Sequence, residues 1–365
     1  MRKRTGALFA CGVLLAVACA EADGPLALTG TAPAPHNAAK PTSAKQGGAK
    51  LSVYAGGVDR ATPQRPCLNR PENRQFDFWV GEWDVMNAAG VGGSTNVISS
   101  LLDGCVIHES WTAANGGRGR SINTYDRDTD MWHQTWVAAS VGHLRMAGGL
   151  QGDIMRMEGV RTQPNGVQWF DTYTWTPVNP DRVIQAGRLQ IPAGNVDVSF
   201  ALTYDRVPAV DPAPEAPTTF CQPGGNSEAS RQLDFWLGTW RVLRANGRPL
   251  GFAEVGSDLS GCLTEESFRT AKGYESISFA YYDVIEQRWY RTLIDSEGER
   301  VELRGEVGEG PRSMTGDEDG PGPHSTWVRV TLQPVSADVV HQVWETSRND
   351  GESWTEALRL IYERQ

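Results

Sequence analysis

"RQFDFWVGEWDV", residues 74–85, decides how this chain is read, because it returns as "RQLDFWLGTWRV" at residues 231–242. The two copies agree at eight of twelve positions and lie 157 residues apart, Arg231 against Arg74. The same offset joins "GCVIHESW" (104–111) to "GCLTEESF" (261–268), and "TYDRDTDMWHQTW" (124–136) to "YYDVIEQRWYRTL" (281–293). It joins Pro177 and Gln185 to Pro334 and Gln342. Near the end it slips by one, so "YDR" at 204–206 answers "YER" at 362–364. A period this long marks a tandem duplication of whole domains, since solenoid units are much shorter.

Within each repeat few segments show a helical period. Short runs alternate between polar and apolar or aromatic residues, as in "SINTYD" (121–126), "WVRVTL" (327–332) and "VVHQVWE" (339–345). Turn signals such as Pro164-Asn165-Gly166 and Asn246-Gly247 separate them. This pattern predicts an all-β chain of two tandem antiparallel β-barrel domains, with a sandwich as the other closure. "QFDFW" is expected to form a short helical turn before the first strand. "SRNDGESW" (347–354) resembles the Asp-box hairpin, a turn device without catalytic meaning.

The chain has 365 residues, 34 basic against 44 acidic, a net charge of −10 and no basic block. That argues against a nucleic-acid partner, whose phosphates demand a clustered Lys/Arg surface. Met1-Arg2-Lys3-Arg4 followed by an apolar run to Val17 reads as an export signal (1–19), too short to span a bilayer. Small residues directly before Cys19 resemble the bacterial lipoprotein box, which predicts lipidation of Cys19; ordinary cleavage after Ala18 or Ala20 would release a secreted protein instead. Residues 20–66, rich in Ala, Gly, Pro and Ser, read as a disordered tether. Repeat 1 is then 67–206, a Pro-rich linker 207–220, and repeat 2 221–365. The predicted location is exported: a lipoprotein of the periplasm, outer membrane or cell surface, touching membrane only through its anchor, or a secreted protein.

Each repeat owns two cysteines, Cys67 with Cys105 and Cys221 with Cys262. An even, duplicated set in an exported chain predicts one disulfide per domain. A four-cysteine metal site would need a close Cys-x-x-Cys spacing that is not present. No metal site is therefore expected.

Gly81-x-Trp83 and Gly238-x-Trp240 open the repeats, and Arg206 and Arg364 follow a tyrosine at their ends. A Gly-x-Trp with an arginine from the last strand packed over the indole resembles the kernel of the lipocalin-type (calycin) barrel. The longer pattern, "DFWxGxW" and then "GC" with a glutamate four residues on, resembles an exported bacterial domain-of-unknown-function family (1579). That resemblance implies a fold and a compartment, and no reaction. For the arginine–indole pair it implies a structural role, through cation–π attraction of about 0.5–2 kcal/mol.

The leading functional expectation is binding of a small, largely apolar ligand inside one or both barrels. The expected lining is Trp111, Tyr125, His133, Trp136 and Gln185 in repeat 1, and Phe268, Tyr282, Arg291, Gln342 and Trp344 in repeat 2. Repeat 2 is the more charged, so the two interiors should differ in polarity. Glu109 and Glu266 are the candidate acid/base groups for an enzyme reading; hydrogen bonds to backbone or to the lid arginine would make them structural. A third reading is an interaction module with filled barrels. No cofactor is expected, although His341 on a late strand invites comparison with the haem-binding nitrobindins.

Overall fold

The computed structural model describes residues 65–365 apart from 141, 217, 223, 226–227, 309–311 and 318–325. The predicted export signal with Cys19 and nearly all of the predicted tether lie outside the described residues.

The first barrel begins with β1 (Gly81–Asn87), β2 (Ser94–Leu101), β3 (Val106–Thr112), β4 (Arg118–Asp126) and β5 (Met131–Ala138). It continues with β6 (Leu144–Gln151), β7 (Ile154–Thr162), β8 (Gln168–Asn179), β9 (Arg182–Ile191) and β10 (Val196–Val207). The second begins with β11 (Gly238–Arg244), β12 (Pro249–Asp258), β13 (Leu263–Thr270), β14 (Glu275–Asp283) and β15 (Arg288–Asp295). It ends with β16 (Arg300–Gly305), β17 (Arg312–Asp317), β18 (Trp327–Ser336), β19 (Val339–Ser347) and β20 (Thr355–Arg364). Each set is a closed, antiparallel up-and-down barrel, with first strand paired to last. Closure satisfies the edge strands that an open sheet would expose.

The repeated dodecapeptide builds the closed end. Asp77–Trp79 and Asp234–Trp236 are 3-10 turns, as expected from sequence, and they drop Trp79 and Trp236 fully buried into their cores. Phe76 stacks on Trp79 with ring centroids 4.9 Å apart, and the Trp79 backbone carbonyl accepts from Trp83 Nε1 at 2.9 Å. Trp240 Nε1 makes the same bond to the Trp236 carbonyl. Register sets Trp83 opposite Arg206 and Trp240 opposite Arg364. Each guanidinium carbon sits 4.2 Å from its indole centroid. Arg206 also donates to the Val80 and Pro180 carbonyls at 2.8 and 2.9 Å. Gly81, at φ +150°, is required because a Cβ there would lie 1.9 Å from Arg206 Nη1. The Gly-x-Trp signature is thus a space for the arginine.

Both expected disulfides are present, Cys67–Cys105 and Cys221–Cys262. They staple the segment before each 3-10 turn to the "GC" corner, where Arg74 Nη2 donates to the Gly104 carbonyl at 2.8 Å. Paired cysteines of this kind belong to an oxidising compartment. Among the described residues no helix is long and apolar enough to cross a membrane.

The barrels are docked. β4, β14 and β15 are buried along nearly their whole length, on both faces, because their outer faces meet across the domain boundary. Val106, Ile122 and Val137 of the first barrel join Leu263, Ile277, Phe279, Tyr281 and Ile294 of the second in one apolar cluster. At its centre Thr135 Oγ1 lies 2.9 Å from Thr292 Oγ1, two residues at the same place in their repeats. Polar contacts frame the cluster. Arg145 donates to Tyr281 at 2.9 Å and Glu286 at 2.5 Å and covers the Tyr290 ring, and Arg120 pairs with Asp258 at 2.8 Å. The connecting segment is held too: Ala216 N donates to the Gly116 carbonyl at 3.0 Å, and Glu215 meets Arg118 and Ser260.

Candidate functional site

Strand alternation decides which side chains reach each interior. On β3 it turns Ile107, Glu109 and Trp111 inward, and on β5 Trp132, Gln134 and Trp136. A cavity of about 50 Å³ in the first barrel is walled by Trp111, Trp136, Tyr173 and Phe200, with Glu109, Gln134, Gln185 and Tyr204 as its polar groups. Gly187 makes room for two of the walls, since a Cβ there would meet Phe200 at 2.3 Å and Tyr173 at 3.1 Å.

Glu109 is buried, and its carboxylate accepts from Asn96 Nδ2 and Ser121 Oγ, each at 2.7 Å. Burial pushes its carboxyl up to about 7; the two hydrogen bonds and the more distant Arg120 only partly oppose this. Gln134 donates to Asn123 Oδ1 at 2.7 Å, and the Tyr204 hydroxyl to Gln185 Oε1 at 2.7 Å. The expectation that Glu109 bonds to backbone or to the lid arginine is corrected here, because its partners are side chains of β2 and β4.

In the second barrel the repeat-equivalent positions carry a different chemistry. Arg291 stands at the place of Gln134 and Trp344 at the place of Gly187, and both are fully buried. Arg291 Nη2 bonds to Glu266 Oε2 at 2.6 Å, its Nε to Ser278 Oγ at 3.2 Å, and its guanidinium lies 4.8 Å from the Trp236 ring centroid. The Tyr362 hydroxyl donates to Glu266 Oε1 at 2.7 Å. Trp344 Nε1 donates to Gln342 Oε1 at 2.7 Å. The first barrel has a buried cation of its own, Arg161, but it is bound to Asp171 at 2.9 Å. The difference in polarity between the interiors at this depth is that Glu266 is paired with Arg291 and Glu109 with neutral donors.

Of the residues singled out from sequence, Trp111, Trp136 and Gln185 line the first cavity. Tyr125 faces inward but packs in the core beside Trp132, with its hydroxyl on Asp130. His133 does not line it: lying between Trp132 and Gln134, it points outward, its Nε2 2.9 Å from Thr129 Oγ1. Phe268, Arg291, Gln342 and Trp344 are interior to the second barrel, and Tyr282 packs on its core. His341 lies between the core-facing Val340 and Gln342, on the outer face of β19, where burial and Arg359 lower its pKa. Tyr173, Phe200 and Leu144 were missed, since a run of alternating residues does not say which parity faces inward. Among the described residues no group of His, Cys, Asp and Glu is arranged to hold a metal ion.

No family model matches the chain, and no curated protein does. Among solved structures, a protein of unknown function of the DUF3598 family from Nostoc punctiforme matches over 81% of this chain and 100% of its own, at 12% identity and a TM-score of 0.19. A likeness so slight carries no argument, and function has to be read from the side chains.

Proposed function

We propose that the first barrel is a binding domain for one compact small molecule and that the second is its filled structural partner. The observation that supports this is the asymmetry between equivalent interiors: aromatic walls around an uncompensated Glu109 in one, Arg291 and Trp344 in the same places in the other. A cavity of about 50 Å³ accommodates a few water-sized groups and falls well below the several hundred Å³ of drug-sized sites. The small, largely apolar ligand expected from sequence is thereby narrowed to a molecule of few atoms. The same volume favours a second reading, in which both barrels are filled and the protein acts through its surface. An enzyme reading retains Glu109 alone, a carboxyl suited to proton transfer near neutral pH.

The disulfides support an exported protein, and the N-terminal pattern supports lipidation at Cys19 with envelope anchoring. Native mass spectrometry of the mature protein, purified gently from its own envelope, tests the function. A reproducible added mass at one copy per chain is expected. A clean apo mass, unchanged by Gln134→Arg, would instead favour the filled-barrel reading.

A further inference from the structure

The second barrel displays what its glutamate is paired with. Glu266 is held by the Arg291 guanidinium at 2.6 Å, and that guanidinium also rests near the Trp236 ring, 4.8 Å from its centroid. The first barrel keeps the glutamate as Glu109, the serine as Ser121 and the tryptophan as Trp79, but replaces the arginine by Gln134. Gln134 turns away to Asn123, at 2.7 Å. Glu109 is left with two neutral donors and, beside Gln134, a cavity where the second barrel has its cation. Trp111, Trp136, Tyr173, Phe200 and Tyr204 surround that space. Aromatic faces around a carboxylate select cations, since the ring quadrupole and the carboxylate both attract positive charge.

We infer that the first barrel takes a small organic cation of the guanidinium or primary alkylammonium class, its N–H groups on Glu109 and its carbon atoms against the aromatic walls. The inference rests on the ligand-binding reading of the same cavity. The second barrel carries the cation on its own chain, and the first recruits it. The site's size fits, because a guanidinium or methylammonium group is comparable to a few waters. The remaining charged and titratable neighbours leave the role to the ligand. Arg120 points to the other barrel, where it pairs with Asp258 at 2.8 Å; Arg161, inside the first barrel, is taken up by Asp171 at 2.9 and 3.1 Å; and the Tyr173 and Tyr204 phenols are held neutral by burial. Seating the cation ionises Glu109, so below pH of about 7 each binding event releases one proton to solvent.

The test is calorimetric titration of the whole protein with methylguanidinium and, separately, with its neutral counterpart N-methylurea, in two buffers of different ionisation enthalpy. Saturable binding of methylguanidinium, tighter at pH 8 than at pH 6, is expected, with proton release at pH 6. Glu109→Gln should weaken it by at least about tenfold. Gln134→Arg installs the second barrel's own solution, so it should fold normally by near-UV circular dichroism and abolish binding. Equal binding of N-methylurea would overturn the cation assignment while leaving a ligand-binding barrel. Binding of neither compound would overturn the assignment and, joined to a clean apo mass, the ligand-binding reading with it.

Discussion

A methyl group on Gly81 would lie 1.9 Å from Arg206 Nη1, on a backbone at φ +150°. Gly81→Ala therefore does two separable kinds of damage. The backbone conformation, open to glycine and strained for any other residue, costs about 1–3 kcal/mol. Displacing Arg206 forfeits a cation–π contact of about 0.5–2 kcal/mol. It also forfeits bonds to the Val80 and Pro180 carbonyls, each worth about 1 kcal/mol once water is allowed to replace the partly exposed guanidinium. Together these give about 5 kcal/mol in the wild-type background, and about 2 kcal/mol when Arg206 is already alanine. The assay is urea unfolding of wild type, Gly81→Ala, Arg206→Ala and the double variant, followed by tryptophan fluorescence. A shift in midpoint without a change in slope is the expected form. Equal penalties for Gly81→Ala in both backgrounds would refute the reasoning, because the glycine would then not be serving the arginine.

Three further expectations follow from the interior charges. Glu109 is held at about 7 against an ordinary 4.5, so the folded protein keeps a proton between those values that the unfolded chain has lost. Stability should fall as pH rises from 4.5 to 7 and stay level above it, by about 3 kcal/mol. Asp295, likewise pushed up to about 7 by burial, adds a slope of the same sign, so the pH curve of wild type minus Glu109→Gln isolates the effect. Arg291→Gln leaves Glu266 buried without its cation and should cost about 3–5 kcal/mol by urea unfolding, most of it recovered in Arg291→Gln/Glu266→Gln. His108, half-buried, and His143, fully buried, face the other barrel and are lowered to about 4 chiefly by burial, with Arg120 on the first and Arg145 and Arg161 on the second adding repulsion and Asp258 and Asp283 opposing it. Their stabilisation is complete above pH 6.5 and fades as pH falls towards 4. Acidification should therefore loosen the docking, read as faster proteolysis within residues 207–220.

The doubled dodecapeptide, the alternating runs and the paired cysteines made the all-β class, the duplication and both disulfides legible in the sequence, whereas barrel and sandwich closures share the same alternation and were separated by the pairing of first strand with last. The Gly-x-Trp with a distant Arg was readable as a pair, although the glycine's reason, room for a guanidinium, needed the register. Inward parity was not legible. His133 and Gln134 are adjacent, and only the pairing of β4 with β5 shows that Gln134 faces the cavity and His133 faces away. The docking was half-written in "ESISFAYYD" and "RWYRTLID", where apolar residues on both parities betray a strand covered on both faces. Such a run does not name what covers it. The meaning of Gly187 against Trp344 emerged only when both were seen at one depth of equivalent barrels.

The meeting of Thr135 with Thr292 has a consequence for how the protein endures dilution. Contact between identical places of two repeats is the geometry of a self-complementary homodimer, here fused into one chain. A free dimer separates when it is scarce, but two halves joined by a short segment face each other at an effective concentration in the millimolar range however few molecules are present. Fusion also releases the halves from having to be alike. One interior carries Arg291 paired with Glu266 where the other has a cavity beside Glu109, an asymmetry that a symmetric pair of identical subunits could not adopt.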